Sequence, residues 1–190
     1  MLASDGMGAI AAILAASITT FAATNIDDIV LLTLFFARRV PARTIVAGQY
    51  LGFLAIIVLS CLGLLLTLAI PHQWIRALGL VPLLLGLKQF VLLFRKHDEE
   101  APADLQGLLS IALVTLSNGA DNIGVYIPFF SVHRTYLWLI LLSYAVLVAL
   151  WCMVGKWLGN HKVTLNAVNR IGHLLVPFVF TALGIYILAF

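Results

Sequence analysis

Six long apolar runs, near residues 8–36, 44–70, 74–94, 106–130, 136–158 and 172–190, constrain this chain more than any other feature of its sequence. A hydrocarbon layer about 30 Å thick is crossed by about 20 residues of helix rising 1.5 Å each, and every run is of that order. Inside a bilayer each backbone amide must be satisfied within the protein, which a helix does from its own segment. Of the 190 residues, 63% are apolar and 10% charged, whereas an average soluble domain is roughly a quarter charged. A soluble core cannot absorb that much apolar surface. The expectation is an all-α, polytopic membrane protein of six transmembrane helices, embedded in a lipid bilayer.

The formal charge is +3, but a nucleic-acid binder gathers its basic residues on one exposed surface, and here they are scattered among short connections. No nucleic-acid partner is expected. Arg38, Arg39, Arg43, Arg95, Lys96, Lys156, Lys162 and Arg170 fall in or beside the connections after runs one, three and five. Only Arg76 and Arg134 lie at the opposite ends, with Lys88 inside run three. The positive-inside rule then puts both termini outside and the basic loops in the cytoplasm. No Lys or Arg precedes Arg38, and the first run is far longer than the apolar part of a signal peptide, so the first helix is expected to be kept. Cys61 and Cys152 sit in runs two and five with no Cys-x-x-Cys pair, which reads as buried free thiols.

A hydrophilic stretch at 97–105 divides the chain into halves, 1–96 and 106–190, of three runs each, and reads as a cytoplasmic linker. The halves resemble each other. Ser17-Ile18 is followed six residues later by Asn25, and Ser110-Ile111 six residues later by Asn118; after a one-residue shift, Asp27-Asp28-Ile29 matches Asp121-Asn122-Ile123 and Phe35-Phe36 matches Phe129-Phe130. An odd number of spans per half inserts the second copy upside down. The expected architecture is an inverted three-plus-three repeat, which secondary transporters use to build two mirror-related access states.

The polar residues at matched depth are Asn25, Asp27, Asp28, Asn118, Asp121 and Asn122. An aspartate at the centre of a spanning helix costs about 2.5–3.5 kcal/mol on insertion scales, so three oppose insertion by roughly 8–10 kcal/mol before partners are found. Asn25 and Asp28 are three apart, and Asn118 stands three and four before Asp121 and Asn122, so each set can share one helix face. Asp27 lies about 100° around from Asp28, so both reach one cavity only where the backbone unwinds. Gly119, and Pro128 beyond Gly124, weaken the helix in the second copy. Broken first and fourth helices are therefore expected, exposing carbonyl oxygens to a small cation.

With all three acids ionised the cluster carries a charge of minus three, and no Lys or Arg is expected in the same layer. A divalent cation would balance it; an anion or a neutral sugar would not. The amides alone could knit helices together by hydrogen bonds, but that task does not need the charge. Metal and protons would compete for such a site. The mechanism this suggests is a rocking exchange in which the cation rides outward on Asp27, Asp28 and Asp121 and protons ride back. Carboxylates by themselves favour hard ions, and a soft ion such as cadmium would seek sulphur, which Cys61 or Cys152 could supply. Gln49, Tyr50 and Tyr144 lie near the starts of runs two and five and are candidates to face the cavity.

At Ala23-Thr24-Asn25-Ile26-Asp27-Asp28, Gly48-Gln49-Tyr50-Leu51-Gly52 and Asn118-Gly119-Ala120-Asp121-Asn122-Ile123-Gly124-Val125-Tyr126-Ile127-Pro128, the chain resembles the cadmium resistance transporter family of the lysine exporter superfamily. The likeness extends over nearly the whole length. It implies export of cadmium, and of zinc as a further cargo, from the cytoplasm across the bacterial inner membrane, with Asn25, Asp27, Asp28, Asn118, Asp121 and Asn122 on the metal path. Such a protein has no cofactor; the divalent cation is cargo and protons are the expected coupling ion. A homodimer is compatible with the sequence.

Two other readings have specific counterarguments. An amino-acid exporter of the same superfamily needs a positive group for the substrate carboxylate, which three acids in one layer oppose. A membrane thiol oxidoreductase pairs cysteines across the first helix of each repeat, where this chain has acids. No hydrolase, kinase or metalloprotease motif is present, so no enzymatic activity is expected.

Overall fold

A computed structural model describes residues 2–38, 40–69, 76–92, 107–160 and 165–189, with side chains from residue 7 onward except at 89, 92, 160 and 165–176. The linker at 97–105 lies outside the described residues. Eight α-helices account for nearly all of what is described: α1 Leu2–Thr24, α2 Ile26–Ala37, α3 Ala42–Thr67, α4 Leu80–Leu92, α5 Leu108–Asn118, α6 Ala120–Val132, α7 Leu137–Asn160 and α8 Leu165–Ala189, with one 3-10 turn at Arg134–Tyr136. Among the described residues there is no strand.

Three stretches among the described residues are long and apolar enough to cross a membrane, Met7–Thr24, Ala42–Thr67 and Arg134–Gly159; the bent pair α5 and α6 makes a fourth if counted as one span. At 1.5 Å per residue, the 26 residues of Ala42–Thr67 extend about 39 Å. The third run is represented by the 13 residues of α4, whose flanks at 70–75 and 93–106 are not described.

Polarity is distributed in the reverse of a soluble fold. Leu54, Leu62, Leu65 and Leu66 of α3 and Leu142, Met153 and Trp157 of α7 face outward, while Ser17, Thr24, Asn25, Asp28, Thr33, Gln49, Ser60, Thr115 and Asn122 are buried. That is the arrangement a lipid solvent selects. Several buried hydroxyls are satisfied within their own helix: Ser17 donates to the Ile13 carbonyl at 2.7 Å, Thr33 to Ile29 at 2.6 Å and Ser60 to Ile56 at 2.8 Å.

Helices from the two halves interlock. The second long helix of one half packs on the broken helix of the other, α3 on α5 and α6 and α7 on α1 and α2, while α4 runs along α8. Glycines four apart permit the close approach. A Cβ at Gly52 would stand 2.5 Å from the Ala112 carbonyl oxygen and 2.6 Å from Thr115 Cβ, and one at Gly48 would stand 2.8 Å from Ile111 Cβ. On α7, Gly155 and Gly159 make the same allowance for Leu32 and for Phe36 and Thr33 of α2. At the centre, Phe21, Phe53, Tyr126, Phe130, Tyr144 and Trp151 interlock; Phe21 lies 5.4 Å from Phe53 and 5.2 Å from Trp151, and Tyr126 lies 5.1 Å from Tyr144, ring centre to ring centre. This aromatic core joins α1, α3, α6 and α7 beside the two helix breaks.

Candidate functional site

Both breaks fall within the acidic motifs. Asn25 interrupts the first helix at φ −119°, ψ 18°, and Gly119 interrupts the fourth at φ −88°, ψ 18°; α6 leaves α5 at 61°. A side chain at Gly119 would press on the Cδ1 tip of Ile56 on α3, which would have to move aside. Pro128 does not end α6, which runs through it to Val132. The breaks also undo the expectation that each motif lies on a single helix face. Asn25 stands between α1 and α2, and Asn118 closes α5 while Asp121 and Asn122 open α6 in a new direction.

Asp28 is the focus of the site. It is 2% exposed, in the first turn of α2, and both its oxygens accept from amides of other helices: Gln49 Nε2 of α3 donates to Oδ2 at 2.8 Å and Asn118 Nδ2 of α5 donates to Oδ1 at 2.7 Å. Thr115 Oγ1 donates in turn to Gln49 Oε1 at 2.8 Å. Three helices therefore converge on one carboxylate. Asp27, adjacent in sequence, points elsewhere: it is exposed, accepts the Asp28 backbone N–H at 3.0 Å, and lies within electrostatic range of Asp28 and Asp121.

A neutral cluster adjoins the acid. Asn25 Nδ2 has three oxygens around it, the Phe21 carbonyl at 2.8 Å, Thr24 Oγ1 at 2.7 Å and Tyr126 OH at 2.8 Å, while its Oδ1 accepts from Asn122 Nδ2 at 3.3 Å. Trp151 Nε1 of α7 donates to the Asn25 backbone carbonyl at 2.7 Å, occupying an oxygen that the break exposes. The Asn122 Oδ1 is buried without a hydrogen-bond partner, an acceptor with unused capacity beside the acidic cluster.

The six residues singled out from the sequence are thus brought near one another, but in two groups, and the three acids do not close on one point. Among the described residues no three His, Cys, Asp or Glu side chains gather as a metal-binding group. α6 meets α4 at Gly124, and Asp121, one turn earlier, lies within electrostatic range of Lys88. Gln49 is a direct partner of Asp28, and Thr115 and Tyr126 complete the network; of these, only Gln49 stood out in the sequence as a candidate cavity residue. Sulphur is present as well. Cys152 is buried on the α7 stripe that continues through Gly155 and Gly159 along α2, and it lies within electrostatic range of Asp28. Cys61 is half-buried at the edge of the core.

A family model described as a cadmium resistance transporter matches residues 21–190, a stretch that takes in both breaks, the Asp28 cluster and every helix from α2 to α8. The chain belongs to the cadmium resistance transporter family. Together with the apolar helices, that membership makes it a multi-pass membrane transporter. No curated protein and no solved structure matches the chain. The matched stretch includes all six residues read as the metal path.

Proposed function

We propose that this protein is a secondary transporter that exports a divalent heavy-metal cation, cadmium first and zinc second, from the cytoplasm of a bacterium in exchange for protons. The observation that carries the reading is the buried Asp28 carboxylate, held by amide donors from α3 and α5 at the break of a membrane helix. A buried carboxylate with no fixed cation of its own is costly, and amide donors offset that cost only in part. A half-turn of the Asn118 and Gln49 amides replaces each donor with a carbonyl oxygen, so the groups that hold the bare carboxylate can ligate an arriving cation. Asp27 and Asp121, both more accessible than Asp28, lie on its way in and out. Protons on the same carboxylates provide the return load.

An inverted three-plus-three repeat of 1–96 and 106–190 with six spans and both termini outside is the architecture this exchange calls for. The crossed packing, α3 with α5 and α6 and α7 with α1 and α2, supports it, because each half supplies the same pair of contacts to the other. Rocking one half against the other would open the breaks at Asn25 and Gly119 to alternate sides. The test is uptake into inside-out vesicles carrying the purified protein: cadmium accumulates, and a pH-sensitive dye reports protons leaving the lumen as it does. Cadmium uptake without any proton counter-flow would refute the coupling.

Cys152 supplies the softness that carboxylates lack. Cys152→Ser is expected to weaken cadmium transport by about tenfold while changing manganese transport little, because serine keeps the size and removes only the sulphur. Competition of the two metals in the same vesicles checks this; an equal loss for both would assign Cys152 to packing.

A further inference from the structure

Lys88 is a cation inside an apolar helix, and ionisable groups so placed are rare, pair with one another and mark ion pathways. Val81, Leu85 and Lys88 fall within a sector of about 60° on α4. The first two face α6, since a Cβ at Gly124 would stand 3.0 Å from Val81 Cγ1 and 3.5 Å from Leu85 Cδ1. A different stripe, Leu83 and Gly86 of α4 with Gly79 just before it, is taken by α8. One turn beyond Leu85, the sector that meets α6 therefore carries the Lys88 ammonium. Asp121 lies one turn before Gly124 on α6 and within electrostatic range of that ammonium. Lys88 is exposed, so its four-carbon stem has room to approach or leave the carboxylate.

We propose that Lys88 is a tethered counter-charge of the cation pathway, its ammonium offsetting Asp121 so that the layer of Asp27, Asp28 and Asp121 presents a net charge of minus two. This rests on the reading of a divalent cation as cargo. Three ionised carboxylates and one ammonium sum to minus two, which one divalent ion balances and one monovalent ion does not. The ammonium also competes with the cargo for Asp121. It lowers affinity, and by returning to the carboxylate as the cation departs it speeds release. A transporter has to give up its cargo every cycle, so a site of minus three would hold a divalent ion too well.

Lys88→Gln and Lys88→Arg in purified protein, alone and with Asp121→Asn, test the proposal. Cadmium is expected to bind Lys88→Gln about tenfold more tightly, with KM falling by a similar factor and the maximal rate falling too, the scale of one unit charge acting across a partly buried site. Lys88→Arg keeps the charge and is expected to restore most of the wild-type affinity and rate. Unchanged cadmium affinity in Lys88→Gln, or an equal defect in both variants, would overturn the proposal. The melting temperature without metal gives a separate reading of the pair. Lys88→Gln should lower it when Asp121 is present and leave it nearly unchanged in Asp121→Asn, and additive shifts would overturn the pairing whatever the cargo. A wild-type protein that carries no divalent cation would instead sink the transport reading, and with it the role of Lys88 in release, while the melting cycle would still judge the proposed Lys88–Asp121 pairing.

Discussion

Asp28→Asn abolishes transport and leaves a folded protein: that is the largest functional effect the structure predicts. The substitution keeps the volume and trades one oxygen for an amide. Removing one partner of a buried charge pair costs about 3–5 kcal/mol, and each 1.4 kcal/mol is a factor of ten, so cadmium uptake should fall by about 100-fold or more. Stability responds differently. In the bare protein the Asp28 carboxylate meets only neutral donors, Gln49 and Asn118. An asparagine leaves one of them facing another donor, a cost of about 1–3 kcal/mol, offset because no charge is buried any longer. The melting temperature should therefore stay within a few degrees of wild type. Vesicle uptake and a thermal melt on the same preparation check the two halves of the prediction. Wild-type uptake in Asp28→Asn would remove this carboxylate from the pathway.

Gly52→Val is expected to have the largest effect on stability. The first added carbon already meets the Ala112 carbonyl oxygen at 2.5 Å and Thr115 Cβ at 2.6 Å, and both belong to the backbone or the root of a side chain, so neither can swing away. Overpacking a tight contact costs about 1–3 kcal/mol and sometimes more. With about 2–4 °C per kcal/mol for a chain of this size, the melting temperature should fall by roughly 2–12 °C. The damage also reaches the site. Thr115 donates to Gln49, and Gln49 donates to Asp28, so forcing α3 from α5 loosens the carboxylate's support and should cut transport as well. Gly8→Val is the control, since nothing lies within 4 Å of a Cβ there, and it should be silent in both measurements.

The features that could be read from the sequence are those that a local rule determines. Apolar runs of spanning length point to membrane helices, because the cost of an unpaired backbone in lipid leaves few other forms, and among the described residues three such helices and one bent pair are found. The adjacent acids Asp27 and Asp28 point to a break in the first helix, because they cannot share one face of a regular helix, and Gly119 with Pro128 points to one in the fourth. Their different fates, Asp28 buried and Asp27 exposed, follow from that same 100° turn, yet which of the two faces inward depends on where α3 and α5 lie. Gln49 is the sole amide in its apolar run, a signal of function without an address. Its bond to Asp28 crosses 21 residues, and that of Asn118 crosses 90.

Gly48 and Gly52, and Gly155 and Gly159, stand four apart in the sequence, but Gly52 and Gly155 acquire partners only when α5 and α2 are brought to them. Lys88 shows the same limit. It stands in a different run from the acids, and only the packing of α6 on α4 brings Asp121 within its electrostatic range.

The central claim is that a divalent cation binds at the Asp28 cluster, and equilibrium dialysis of cadmium against the purified protein tests it most directly. Saturable binding of about one ion per chain, displaced by zinc and lost in Asp28→Asn, is the expected result. Binding that does not saturate, or that is unchanged in Asp28→Asn, would contradict the account.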